Sequence, residues 1–172
     1  MIKPKPLWLR AITPRGTWVT IYPHIYYPES VIDPNLEIYK DVIVHEQTHL
    51  RQQKKMGLEE WMIRYLRDSE FRVDQECEAT AHQIMSVPYQ YRTLKMMMSQ
   101  MLGGSIYMNA SKDRVGIEEK IDNYLKQLGF VEPPAESIPW WDDLTWISYK
   151  PVFDSDRISY TPANLDSDRR RL

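Results

Sequence analysis

Residues 42–50 read Val42-Ile43-Val44-His45-Glu46-Gln47-Thr48-His49-Leu50. Aliphatic residues lead into two imidazoles four positions apart, with no Gly or Pro to interrupt a helix. At about 3.6 residues per turn, such a pair shares one helical face, one turn apart. Both ring nitrogens can then reach one Zn²⁺ at about 2.0–2.1 Å. Glu46 lies about 100° further round the helix than His45. Its carboxylate therefore addresses a water activated by the metal, rather than the metal itself. No other feature of the chain implies a reaction.

The chain has only four His (His24, His45, His49 and His82), so a chance H-E-x-x-H is rare. Ile38, Val42 and Met56 fall within about 60° of the two motif His, which directs the imidazoles toward the core. Val44, Gln47 and Thr48 form a more polar face. The motif helix is expected from near residue 36, after Asp33-Pro34-Asn35, to Met56, with Gly57 ending it. The plainer alternative is a pair of hydrogen-bonded His on an ordinary amphipathic helix.

A zinc site with an open position uses three protein ligands, and His-His-Glu is one recurring set. Downstream, Phe71 to Met85 offers Glu76 and Glu78. With Glu76 at 0° and about 100° per residue, Val73, Cys77, Thr80, Ile84 and Val87 fall between about 20° and 100°, a buried stripe. Glu76 borders that stripe, whereas Glu78 and His82 lie near 200° and 240°, on an expected solvated face. A carboxylate facing a core is costly unless it is paired or bound to metal, so Glu76 is the better third ligand. Ala79, close to Glu76 on the wheel, leaves room for a second helix. A salt bridge from Glu76 to Arg51 or Arg72 is the alternative reason for it to face inward.

With these residues in place, His45-Glu46-Gln47-Thr48-His49 followed by Glu76-Cys77-Glu78-Ala79 resembles the gluzincin superfamily of zinc metallopeptidases. Over roughly residues 15–110 the chain is most similar to small zincin-like metallopeptidases of bacteriophage genomes. Those have an aromatic strand before the motif and a Gln-rich end to the first helix, here Arg51-Gln52-Gln53. The resemblance implies a zincin-like core, a catalytic Zn²⁺ on His45, His49 and Glu76, and Glu46 as general base. It also implies that Thr80, where the family often has Asp or Asn, would orient a ligand His through its hydroxyl. A metzincin would have Gly and His at the positions of Gln52 and Lys55. A deformylase would need an upstream Cys, whereas the single Cys is Cys77.

Composition sets the frame. At 172 residues, with 42% hydrophobic and 12% aromatic residues, the chain suits one domain. A net charge of −2 gives no expectation of nucleic-acid binding, and Arg169-Arg170-Arg171 reads as a solvated tail. One Cys suits a reducing compartment, with Cys77 as a packed thiol. No apolar run marks a signal peptide or a membrane span, so the host cytoplasm is the expected location.

Residues 1–16, with Pro4, Pro6, Pro14 and Gly16, read as an irregular N-terminal arm. Residues 17–27 are β-branched and aromatic and read as a strand, with Pro23 confining it to an edge or a bulge. Such an edge could hold an extended peptide by backbone pairing. A short helix is expected over Leu58 to Asp68, with Trp61, Tyr65 and Leu66 in the core. The ligand helix is expected from about Glu70 to Met85. Met96, Met97, Met98 and Met101 read as adaptable core. A last helix is expected over about Lys112–Leu128, capped by Ser111 and ended by Gly129. Tyr107, in the loop before it, is a candidate oxyanion donor.

The expectation is thus an α+β, mostly helical fold: an N-terminal arm (1–16), a zincin-like metallopeptidase domain (17–130) with a short edge sheet, and an extended Trp- and Pro-rich C-terminal arm (131–172). Its partner would be a peptide or protein substrate, with no nucleic acid and no membrane. Trp140, Trp141 and Trp146 suggest a contrasting role. In that role the chain is a phage virion accessory protein that keeps a zincin fold and grips neighbouring virion proteins through its arms.

Overall fold

The computed structural model describes residues 1–104, 107–108 and 110–133, and the backbone of 152–154 and 157–159. It divides into two units, Met1–Glu132 and Pro133–Leu172. In the second unit, Val152–Asp154 and Arg157–Ser159 pair as antiparallel strands. Trp140, Trp141 and Trp146 lie outside the described residues.

The first unit is mostly helical with one three-stranded sheet, an α+β arrangement. Its first 16 residues, expected as an irregular arm, are built into it. Ile2–Pro4 (β1) runs parallel to His24–Tyr27 (β3), pairing Ile2 with Ile25 and Pro4 with Tyr27. Leu7–Ile12 (α1) buries Leu9. Lys5 is only 4% exposed. Its ammonium donates to Thr13 Oγ1, Pro14 O and Thr17 Oγ1 at 3.0–3.2 Å, so all three protons are used.

The expected single strand over 17–27 is a hairpin. Val19–Ile21 (β2) pairs antiparallel with β3, matching Thr20 to Ile25, and Tyr22-Pro23 forms the turn with a cis peptide bond. Pro23 has no N–H for a ladder, which is why the strand breaks there. The sheet order is β1-β3-β2, so β2 is an edge. Cross-strand partners share a face, and Thr20 and Ile25 are both buried.

Lys40–Met56 (α2) carries the motif. Ile38 precedes it in a single 3₁₀ turn and is 72% exposed, so it does not share the face expected of it. Thr48, expected on a polar face, is fully buried and donates to Val44 O. Gly57, at φ +97°, takes a backbone conformation that side chains resist, and lets Leu58–Arg67 (α3) begin at once. In α3, Trp61 is buried, Tyr65 half-buried and Leu66 exposed, because only one face of this short helix meets α2 and the next helix.

Ser69–Ser86 (α4) is the central element. Asp68 caps it, accepting from the N–H groups of Glu70 and Phe71, both at 3.0 Å. Val73, Cys77, Ala81 and Ile84 form its apolar face, packed with Met98 and Leu102 and with Ile117, Ile121 and Leu125. Val87 ends the stripe half-buried. Full burial of each large aliphatic side chain here contributes roughly 1.5–3 kcal/mol. Cys77 is a packed thiol whose pKa burial pushes up to about 12.

The opposite face of α4 is also buried, but it is polar: Arg72, Gln75, Glu76, Thr80 and Gln83 meet α2 and its surroundings. Ala79, with no exposed surface, permits that close approach. Glu78 and His82, expected in solvent, are half-buried beside it.

Tyr91–Met101 (α5) and Arg114–Gln127 (α6) complete the unit. Of the Met cluster only Met98 is core; Met96, Met97 and Met101 are 37–41% exposed, because they lie off the face that meets α4 and α6. Helix α6 is capped by Asp113, which accepts from Gly116 N at 3.0 Å, and not by Ser111, which accepts from Asp113 N. Among the described residues no helix is long and apolar enough to cross a membrane.

Candidate metal centre

Helix α2 delivers His45 and His49, and α4 delivers Glu76. His45 Nε2 lies 3.2 Å from Glu76 Oε2, His49 Nε2 lies 3.4 Å from Glu76 Oε1, and the two Nε2 atoms are 3.2 Å apart. All three side chains are buried. Four ligands at about 2.0–2.1 Å round a tetrahedral ion stand about 3.3 Å from one another, the spacing found here.

Two further observations fit a cation. Both Nδ1 atoms face the side-chain oxygen of a glutamine: His45 meets Gln83 Oε1 at 3.2 Å and His49 meets Gln52 Oε1 at 2.8 Å. That oxygen is an acceptor, so each Nδ1 carries hydrogen and each ring turns its Nε2 toward the other. Between them, Glu76 Oε2 is buried with no hydrogen-bond partner. A buried carboxylate oxygen beside two ring nitrogens is costly unless a positive charge sits among them. The group can therefore hold a metal ion.

Without metal, a proton supplies that charge. Burial alone would lower the pKa of His49, but Glu76 outweighs it and pushes the imidazole up to about 9. Burial would likewise raise Glu76, yet His49 and His45 hold it well below the usual carboxylate range. The sign of the pH dependence follows by linkage. The His49 contribution to stability is complete below its ordinary 6.5 and is lost as pH rises through about 9. The Glu76 contribution is complete above its ordinary 4.5 and is lost as pH falls. Chelator-treated protein should therefore melt highest between pH 4.5 and 6.5 and lose melting temperature toward pH 9. Thermal melts with and without zinc check this: zinc should flatten the alkaline fall, because the ion replaces the proton.

Glu76 is held from its other side. Tyr65 donates its hydroxyl to Glu76 Oε1 and stacks on Trp61 with ring centroids 4.5 Å apart. Arg72 donates to the backbone oxygens of Tyr65 and Tyr107, so it does not pair with Glu76. Arg51 donates to Thr48 Oγ1. The expected salt-bridge alternative is thereby removed. Tyr107 is brought to the cluster: burial, then the Glu76 and Glu46 carboxylates, push its pKa well above the ordinary value. Its phenol stays protonated and able to donate.

Glu46 is 8% exposed, and Thr20 on β2 donates to its Oε2 at 2.6 Å. The sheet edge is thus tied to the motif helix. Gln53 reinforces the tie, donating from Nε2 to Thr20 O at 3.0 Å and accepting from Tyr22 N at 2.8 Å. An extended peptide on this edge would find those two backbone groups already taken. The expected role of Thr80 is not seen: its buried hydroxyl has no hydrogen-bond partner, because Gln83 and Gln52 reach the imidazoles instead.

Sequence reading missed Gln52, Gln83, Thr20 and Tyr65. Gln83 lies seven residues after Glu76 and Gln52 three after His49, so both share the ligands' helical faces. That spacing was the available signal. No family model matches the chain, and neither a curated protein nor a solved structure matches it.

Proposed function

We propose that the chain is a zinc-dependent peptidase with a gluzincin-type, zincin-like core, in which His45, His49 and Glu76 hold the ion and Glu46 is the general base. The observation that carries the reading is the convergence of two Nε2 atoms, 3.2 Å apart, on the buried Glu76 carboxylate at 3.2 and 3.4 Å. Glu46, one residue after His45, is held by Thr20 at the same cluster. Imidazole and carboxylate donors at this spacing suit zinc.

When bound, zinc supplies Lewis acidity that lowers the pKa of a water toward about 7. Glu46 takes a proton from the attacking water and returns it to the leaving amine. Thr20 fixes the carboxylate rotamer through Oε2, leaving Oε1 for that proton. Tyr107, kept protonated beside Glu76 and Glu46, is the candidate donor to negative charge on the carbonyl oxygen of the substrate. Tyr65 orients the ligand carboxylate.

Zinc-loaded full-length chain incubated with a mixture of unstructured peptides should generate new termini, detected by mass spectrometry. These should vanish on chelation and return with zinc; termini indifferent to zinc would contradict the reading. Thr20→Val should keep zinc and lower turnover by roughly tenfold, the cost of about one charge-assisted hydrogen bond. Thr20→Ser should restore most of it.

A further inference from the structure

Each candidate ligand imidazole stands at the end of a chain of hydrogen bonds that starts at a carboxylate. From His45 Nδ1 the chain passes to Gln83 Oε1 at 3.2 Å, and Gln83 Nε2 donates to Asp41 Oδ2 at 2.8 Å. From His49 Nδ1 it passes to Gln52 Oε1 at 2.8 Å, and Gln52 Nε2 donates to Glu78 Oε2 at 2.9 Å. The second amide hydrogen of Gln52 goes to Gln75 O at 3.0 Å. Gln75 is itself held by a 2.9 Å bond from Trp61 Nε1.

A carboxamide can face an imidazole with its oxygen or with its nitrogen. In the first case the imidazole carries hydrogen on Nδ1 and offers the Nε2 lone pair to a metal. In the second the proton moves to Nε2 and closes the metal face. A carboxylate accepts only, so it admits the amide nitrogen and repels the amide oxygen. Asp41 and Glu78 each remove the choice, one for each ring.

The two relays also run in opposite senses between the helices. Asp41 on α2 acts through Gln83 on α4, whereas Glu78 on α4 acts through Gln52 on α2. Both therefore depend on the same α2–α4 packing that brings Glu76 to the histidines.

We infer that Asp41 and Glu78 are positioning residues which, through Gln83 and Gln52, lock His45 and His49 in the metal-ready tautomer. The inference rests on the proposed metal site but not on hydrolysis.

The test is zinc affinity of the full chain, read by competition with a chromophoric chelator. Asp41→Ala and Glu78→Ala should each weaken zinc by about tenfold or more, as outer partners of ligand His do. Asp41→Asn can present either an acceptor or a donor to Gln83, so it restores the choice and should recover only part of the loss. The decisive arm is the double-mutant cycle. Asp41→Ala should add nothing in a Gln83→Ala background, yet keep its full effect in a Gln52→Ala background. If Gln83→Ala fails to fold, Gln83→Leu keeps the volume and takes its place.

An Asp41→Ala affinity within twofold of wild type, or additivity with the Gln83 substitution, overturns the relay and leaves the peptidase reading standing. Zinc binding with the predicted cycle but no hydrolysis overturns the peptidase reading and leaves the relay. A wild-type chain that takes up no zinc overturns both.

Discussion

Glu46→Gln should abolish peptide hydrolysis while leaving bound zinc at the wild-type level. The substitution keeps the shape of the side chain and an oxygen that accepts the 2.6 Å bond from Thr20 Oγ1, so the local packing survives. What it removes is the ability to take a proton from water. A positioned general base contributes about 10²- to 10⁴-fold, or about 3–5 kcal/mol of barrier. The loss should appear in kcat and kcat/KM together, because the interaction is made in the transition state. Steady-state hydrolysis of a cleaved peptide, with metal content measured on the same preparation, checks this. Wild-type turnover by the Gln variant would remove Glu46 from the mechanism.

The second large effect is at Glu76. Glu76→Ala should take zinc from stoichiometric to absent after gel filtration, a loss beyond the about 10- to 100-fold that outer partners control. It deletes one of the three proposed protein ligands, and it also leaves Tyr65 without its acceptor. In the metal-free protein the same change removes the counter-charge of a fully buried imidazole. His49 should then titrate well below 9, because the largest group opposing the effect of burial is gone and only Glu46 and Gln52 still oppose it. Chelator competition reads the affinity, and histidine NMR titration of the zinc-free variant reads the pKa. A Glu76→Ala protein that retains zinc like wild type would mean that another group completes the site.

The candidate metal ligands were legible because their chemistry is written in local spacing. The four-residue interval of His45 and His49 survives any tertiary detail, and a wheel was enough to prefer Glu76 to Glu78. The supporting groups were hidden by the assumption that polar residues face water. Helix α4 has an apolar face toward α5 and α6 and a polar face toward α2, and both are buried. An apolar stripe reports only the first. The wheel therefore puts Glu78 in solvent, whereas it anchors Gln52, and the resemblance points to Thr80, whereas Gln83 reaches His45.

The sheet was legible only in part. β-Branched and aromatic residues marked 17–27, but the pairing of β1 with β3 joins residues more than twenty apart. With Pro4 and Pro6 nearby, the N-terminal segment carries no alternating pattern that announces a strand. The contact of Thr20 with Glu46 is likewise non-local and follows from the hairpin register, which places Thr20 on the buried face beside Ile25. At α6, Ser111 and Asp113 are both competent caps two residues apart. Their order was settled by which side chain reaches an early helical N–H, and Asp113 reaches Gly116.

Anomalous X-ray scattering at the zinc edge, on crystals of the full-length chain, tests the central claim most directly. One peak should stand about 2.0–2.1 Å from His45 Nε2, His49 Nε2 and a Glu76 carboxylate oxygen. Crystals of zinc-supplemented protein with no peak at that convergence point, or with zinc held only elsewhere, would contradict it.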